Sequence, residues 1–237
     1  MTIPYICLTS DKHDHMIPGF MHQWRKYAPE IPVTIAGFRQ PQFDLLEGFD
    51  FVSIGDMANY PIGKWSNALK ELLRGYAGGH VAILLEDYWL TRRADIWALG
   101  VCTEFMQSNP NALRFDITTD RLYSGNIAPV GAIGRVDIIE GLESPYQVSF
   151  QASIWNADHL SALLHSNWDP WQCEIAGGSR LKDEFPQLRV FGTRQWPLQY
   201  QIMVRGGKFE RGGDWMNPAR QLSNQDYQEL ESLNYVV

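Results

Sequence analysis

Residues 80–86, HVAILLE, constrain the fold more than any other stretch. Five apolar residues run together from Val81 to Leu85. A strand of that kind must be covered on both faces, which places it in the middle of a parallel sheet with helices on either side. The run ends in Glu86-Asp87, followed by Tyr88 and Trp89. In such sheets ligands bind outside the carboxyl ends of the strands, so the two acids stand where a site is expected.

The flanking segments alternate in the way this requires. Residues 3–10 (IPYICLTS), 31–39 (IPVTIAGFR) and 49–55 (FDFVSIG) are short apolar, β-branched runs and predict strands. Between the first two, Met16, Phe20, Trp24 and Tyr27 recur at helical spacing. Trp65, Leu69, Leu72, Leu73 and Tyr76 form a second helical stripe, closed by Gly78-Gly79. Strand and helix in repetition predict a doubly wound α/β layout. Beyond residue 111 the pattern loosens. Residues 112–118 predict a strand. The glycine-rich 120–148 stretch predicts loop with one or two short strands. Asn156 caps a helix over NADHLSALLHS, and Asp169, Pro170 and Gln172 open another through a capping-box arrangement. A last helix starts near Ser223 or Asn224.

Composition removes several classes of function. The chain has 237 residues and a formal net charge of −7, which argues against a protein whose main task is wrapping nucleic acid or lying on an anionic membrane. Cys7, Cys102 and Cys173 lack the spacing of a metal knuckle or redox pair, and an odd number fits a reducing compartment. The first residues carry no secretory pattern, and no run reaches the roughly 18 apolar residues of a membrane span. A soluble, cytoplasmic protein is the expectation. Nine tryptophans are many for this length. They serve either as core volume or as the walls of a pocket that stacks on flat or sugar-like ligands.

Three groups of residues carry chemistry. Glu86 and Asp87, on a turn after a buried strand, offer oxygen ligands to Mg²⁺ or Mn²⁺ when a diphosphate supplies the others. The plain alternative is that Asp87 caps the next segment and Glu86 is solvated. Glu174 lies one turn into its helix beside Trp171, which would desolvate it and suit it to act as a general base. An exposed helical Glu is the plain alternative there. Arg205, Lys208 and Arg211 sit among four glycines in VRGGKFERGG, where the backbone can approach a phosphate and the cations neutralise it. A turn with solvated charges explains the same residues. His13-Asp14-His15 lacks a third ligand and reads as a solvated loop. No GxGxxG, P-loop or nucleophile elbow is present, which turns the reading away from NAD and P-loop enzymes.

A strand ending in an acidic motif, followed by a Trp-flanked acid on a helix, resembles the GT-A class of nucleotide-sugar glycosyltransferases. Four blocks, HMIPGFMHQWRKYAP, KWSNALKEL, LLEDYWL and SFQASIWNADHL with DPWQCEIAGGSR, are similar to short bacterial and phage glycosyltransferase-like proteins and sample the chain between residues 9 and 180. The resemblance implies one GT-A-like (Rossmann-like) domain over 1–237. Its mostly parallel sheet would be flanked by helices, with a nucleotide-sugar half over 1–118 and a less regular acceptor half over 119–237. It implies a nucleotide-sugar donor, a UDP-sugar first, held by Thr9, Ser10, Asp11, Trp65, Ser66, Glu86, Asp87, Arg205 and Lys208. It implies Mn²⁺ or Mg²⁺ on Asp87 and Glu86, and Glu174 as the base of an inverting transfer. Trp155, Trp171 and Arg180 fall on the acceptor side. The acceptor is either a glycan or a hydroxymethylated base in phage DNA, tracked by Arg180, Lys182, Arg189, Arg194 and Arg205. Two departures bear on the metal: the acidic motif reads Glu-Asp-Tyr, without its third acid, and the last histidine is His165, so no C-terminal His is present. A non-catalytic nucleotide-sugar binder and a nucleotidyltransferase of the same fold are the competing readings.

Overall fold

A computed structural model of the chain describes residues 3–118, 125–143, 146–205, 208–209 and 221–236, with the backbone alone for Glu143, Arg205 and Lys208. The first half follows the alternation of the sequence. Strand β1 (Tyr5–Leu8) leads to helix α1 (Ile17–Tyr27), then β2 (Val33–Gly37), β3 (Phe49–Ser53), α2 (Trp65–Arg74) and β4 (His80–Leu85). A short β5 (Tyr88–Leu90), α3 (Ile96–Ser108) and β6 (Ala112–Asp116) follow. The second half adds β7 (Asn126–Ile133), β8 (Val136–Glu143), β9 (Ser153–Asn156), α4 (Ala157–Leu163), α5 (Pro170–Glu184) and β10 (Arg189–Gly192). Three short strands, β11 (Tyr200–Ile202), β12 (Val204–Arg205) and β13 (Lys208–Phe209), precede α6 (Asn224–Ser232).

Nine strands form one sheet in the order β3-β2-β1-β4-β9-β6-β10-β8-β7. Strands β3, β2, β1 and β4 pair in parallel. β9 is antiparallel to both its neighbours, β4 and β6, while β6 and β10 are again parallel. β8 and β7 close the sheet as an antiparallel hairpin. The sheet is therefore mostly parallel in direction, as the sequence predicts.

Period-two alternation decides which helix each strand residue meets. Tyr5, Cys7, Ala82 and Leu84 face one way and pack with Phe20 and Trp24 of α1, Leu99 and Met106 of α3, and Leu230 of α6. Ile6, Leu8, Val81 and Ile83 face the other way and pack with Leu69 and Leu73 of α2, Leu160 of α4, and Cys173 and Leu181 of α5. The result is a sheet between two helical layers, with every residue of β1 buried. All three cysteines are buried free thiols, consistent with packing rather than pairing.

Local chemistry fixes the helix starts. Asn156 accepts from the His159 N–H at 3.0 Å. Asp169 and Gln172 form a capping box at α5, with Pro170 in the first turn. Ser223 and Asp226 do the same at α6. In the glycine-rich stretch, where loop with one or two short strands is expected, two strands form and are longer than expected: β7 and β8 are eight residues each. Most of β7 is exposed, so no apolar alternation marks it in the sequence.

Candidate functional site

Strand order reverses between β1 and β4: β2 lies on the far side of β1, and β4 is followed by β9. At that switch point the carboxyl ends of β1 and β4 open into a cleft of about 750 Å³, the size of a small-molecule site. Thr9, Ser10 and His13 come to it from β1. Phe38 and Ile54 come from the ends of β2 and β3, Trp65 from the start of α2, Glu86 and Asp87 from β4, and Trp171 and Glu174 from the first turns of α5.

The β1 end is shaped by backbone hydrogen bonds. The Thr9 N–H donates to the Ala36 carbonyl at 2.9 Å, carrying the ladder one residue past β1. The Ser10 carbonyl then accepts from the His13 N–H at 2.7 Å. This turn brings the His13 ring to Glu86, with Nδ1 2.8 Å from Oε1. The hydrogen bond to Glu86 is the main reason the His13 pKa is raised. From the sequence alone His13 reads as a solvated loop residue. Its partner is 73 positions away, and nothing local signals the contact.

The acidic turn is held by its own backbone. The Glu86 carbonyl accepts from Trp89 Nε1 at 3.0 Å, and the Asp87 carbonyl accepts from the Met203 N–H at 2.8 Å. Tyr88 stacks on Tyr200 with ring centroids 4.4 Å apart, fixing β5 against β11. The backbone that carries both carboxyls is thus tied to β5, β11 and the segment after it. Burial, with the Glu86 charge beside it, pushes Asp87 up to about 7. An acid pair short of positive charge fits a hard divalent cation, with Asp87 and Glu86 as oxygen ligands. Among the described residues no group of three or more His, Cys, Asp or Glu gathers as a cage. Most of an ion's shell would therefore come from phosphate and water.

Glu174 faces the same cleft from α5. It is half-buried, and its Oε1 accepts from the Phe150 N–H at 2.9 Å, which orients the carboxyl. Trp171 is 65% exposed, so it forms the rim of the cleft rather than a lid over Glu174. Behind the wall, Phe150 meets the Trp65 ring edge-on at 4.9 Å and stacks on Trp155 at 5.5 Å.

Other residues singled out from sequence sit elsewhere. Ser66 is fully buried: its hydroxyl accepts from the Trp168 N–H at 2.9 Å and its own N–H donates to the Trp168 carbonyl, tying α2 to the segment before α5. Trp155 lies inside the sheet on β9 at 0% exposure, because β9 inserts between β4 and β6. Arg180 turns away along α5, with Nε on Glu184 at 2.8 Å and Nη1 on the Leu163 carbonyl at 2.7 Å. Asp11 accepts from the Arg39 backbone N–H at 3.2 Å and is not among the lining residues. The backbones of Arg205 and Lys208 pair across a two-residue ladder that begins beside the cleft at Val204. Their side chains, and Arg211, lie outside the described residues. Phe38, Ile54, Ile62 and Phe150 line the cleft without having been singled out; each reads in sequence as an ordinary apolar residue.

Sheet order and switch-point crevice define a Rossmann-like α/β fold. No protein-family model matches the sequence, and no curated protein matches it. Solved structures do resemble the fold. A UDP-glucose pyrophosphorylase from Acinetobacter baumannii is 12% identical, over 85% of this chain and 88% of that one, with a TM-score of 0.50. A CMP:2-keto-3-deoxy-manno-octonic acid synthetase complexed with CTP gives 12% identity over 81% and 90%, with a TM-score of 0.46. An active-site mutant of LgtC gives 12% over 76% and 65%, at 0.39. At these identities the likeness concerns the fold alone. No helix among the described residues is long and apolar enough to cross a membrane.

Proposed function

We propose that the protein is a glycosyltransferase that moves a sugar from a nucleotide-sugar donor, in the first instance a UDP-sugar, to an acceptor hydroxyl with inversion. One observation carries this reading: Asp87 and Glu174, brought from β4 and α5, face a single cleft at the switch point of the sheet. Thr9 and Ser10 at the end of β1 border the donor's base, and Trp65 flanks its pocket.

The charge balance of the wall favours a cation-assisted donor. Among the described lining residues Glu86, Asp87 and Glu174 are accompanied by His13 as the basic group, and no Lys or Arg is among them. A donor diphosphate adds roughly two more negative charges, which a divalent ion would offset. Mg²⁺ or Mn²⁺ on Asp87 and Glu86 would supply charge neutralisation for the departing diphosphate. Arg205 and Lys208, following Val204 at the cleft edge, are candidates to add to it.

Glu174 then takes the proton of the acceptor hydroxyl. The acceptor oxygen bonds to the anomeric carbon from the face opposite the diphosphate. The bond from that carbon to the diphosphate oxygen breaks, and the nucleoside diphosphate leaves with the electron pair. One base on the acceptor side is sufficient for inversion. The Phe150 N–H fixes the Glu174 carboxyl for the task.

The likeness to a pyrophosphorylase supports nucleotidyl transfer on the same fold as a second reading. A triphosphate substrate would bring still more negative charge to this acidic wall, and the 9–15 turn has no Gly- and cation-rich loop to meet it. The two readings are separated by incubating the protein with UDP-, GDP- and CMP-sugars, with and without Mn²⁺, and following donor hydrolysis. Release of nucleoside diphosphate from one donor, dependent on Mn²⁺, is the expected result. Pyrophosphate release from a nucleoside triphosphate and a sugar phosphate would favour nucleotidyl transfer. Binding of donor with neither reaction would leave a non-catalytic binder.

A further inference from the structure

Large apolar side chains left on a surface are usually scattered. Here the three most exposed among the described residues, Trp171 at 65%, Ile62 at 64% and Ile175 at 60%, gather at one place. Trp171 and Ile62 line the mouth of the cleft, and Ile175 follows Trp171 one helical turn along α5. Residues 171, 174 and 175 share a helix face, so the apolar surface flanks the Glu174 carboxyl. The segments bearing Ile62 and Trp171 are bound together through the Ser66–Trp168 hydrogen bonds. A patch so placed, beside a site rather than on an open face, is a ligand surface.

We infer that the acceptor is a neutral glycoside, lying with the apolar face of a ring on Trp171 and against Ile62 and Ile175, and that it is not nucleic acid. The inference rests on the glycosyl-transfer reading and names its acceptor class. Among the described residues, charge favours the same choice between the two acceptors that the sequence leaves open. Duplex DNA carries one phosphate charge per roughly 1.7 Å of axis, and a protein that tracks it needs several unengaged cations. The wall beside Glu174 presents acids instead. Of the arginines that would form a tracking patch, Arg180 is engaged by Glu184, Arg189 by Glu140 at 2.9 Å and Arg194 by Asp137 at 3.4 Å, while the Arg205 side chain lies outside the described residues. Lys12 and Lys64 are the sequence neighbours of the lining residues His13 and Trp65, and Lys64 is exposed. An exposed indole between two isoleucines asks for the opposite of a polyanion: an uncharged ligand with C–H groups to bury.

The test uses the full chain with UDP and Mn²⁺ present and measures binding by calorimetry or ligand-observed NMR. The probes are methyl and p-nitrophenyl glycosides, a neutral oligosaccharide, and a duplex carrying hydroxymethylcytosine. The glycosides are expected to bind with an affinity that changes less than about twofold between low and high salt, unlike phosphate-tracking binding. Trp171→Ala is expected to weaken them about tenfold or more, and Trp171→Phe to restore most of the loss. Trp171 is largely solvent-exposed, so its truncation opens no core. A gain from methyl to p-nitrophenyl glycoside would place the aglycone on the indole; equal binding would place the sugar ring there. Salt-sensitive binding of the duplex, indifferent to Trp171→Ala, overturns the inference. So does failure of every glycoside to bind a protein that still binds UDP, which leaves the transfer reading standing. Loss of UDP binding as well would remove both.

Discussion

Two clusters of acids in this protein are satisfied to very different degrees. Asp226, on α6, has no exposed side-chain surface, yet it receives Lys26 Nζ at 2.8 Å, the Tyr27 hydroxyl at 2.8 Å, the Ser223 hydroxyl at 2.6 Å and the Ser223 N–H at 2.9 Å. Burial alone would raise its pKa, but the Lys26, Ser223 and Tyr27 hydrogen bonds outweigh burial and hold it below the usual carboxylate range. Glu229 shares Lys26 and meets His22 at 2.9 Å. At the cleft, Glu86, Asp87 and Glu174 line one wall with His13 as the basic residue among them, and Asp87 is pushed up to about 7. The chain can therefore neutralise buried acids when their role is to join α6 to α1. Among the described residues it gives Asp87 no comparable cation, and the Asp87 pKa is raised, as is common at functional sites.

If that contrast is functional, the two clusters respond to mutation in opposite currencies. Glu174→Gln should lower the rate of sugar transfer by about 100- to 10,000-fold, the range of a lost general base. Donor affinity and thermal stability should stay close to the parent, since the amide oxygen still accepts from the Phe150 N–H. Steady-state kinetics with a calorimetric donor titration checks both. A variant that loses stability and keeps turnover would mean that Glu174 holds the fold, and the contrast would collapse.

Asp226→Ala should do the reverse. It leaves the half-buried Tyr27 and the exposed Ser223 without the acceptor they share with Lys26 and costs about 2 kcal/mol of folding stability, the scale of losing hydrogen bonds to a charged group. Turnover per folded molecule should change little. The pH dependence has a definite sign. Asp226 has a folded pKa below its unfolded value, so its contribution is complete above the unfolded value near 4 and is lost as pH falls through the folded one. Parent and variant should therefore converge in urea stability below about pH 4. A gap that persists there would assign the effect to packing instead.

How much of this was legible follows from where the partners lie. Strands β1 to β4 and helices α1 and α2 declare themselves, because burial on two faces or one stripe is written in consecutive residues. The caps of α4, α5 and α6 are legible for the same reason, each being complete within four residues. The antiparallel insertion of β9 is not. It depends on pairing with β4 and β6, 70–76 and 37–41 positions away, and it turns Trp155 from a stacking candidate into core. The β7–β8 hairpin is hidden by its exposed, glycine-interrupted strands. His13 joins Glu86 only through the fold. Glu86, Asp87 and Glu174 could be singled out because a parallel sheet fixes where strand ends lie, whereas Ser66 and Arg180 could not be told from ligand-binding residues before their partners were seen. Ser66→Ala tests that reassignment. It should cost about 1–2 kcal/mol by leaving the Trp168 N–H unsatisfied, and it should loosen the junction rather than abolish donor binding.

Asp87→Asn gives the smallest effect and the sharpest sign. Asp87 is held beside Glu86 in a poorly solvated turn, so its charge opposes folding unless a cation is bound. In metal-free protein near pH 8, removing that charge should raise stability by about 1 kcal/mol, or about 2–4 °C in melting temperature for a chain of this size. Mn²⁺ should invert the order. At about a hundred times its Kd the ion stabilises the parent by about 2.7 kcal/mol and should do little for the variant. Glu229→Gln at the other cluster, whose pKa is lowered chiefly by its hydrogen bond to Lys26, should show no such reversal. If Asp87→Asn is destabilising with and without Mn²⁺, Asp87 belongs with the structural acids and the cleft has no cation to wait for.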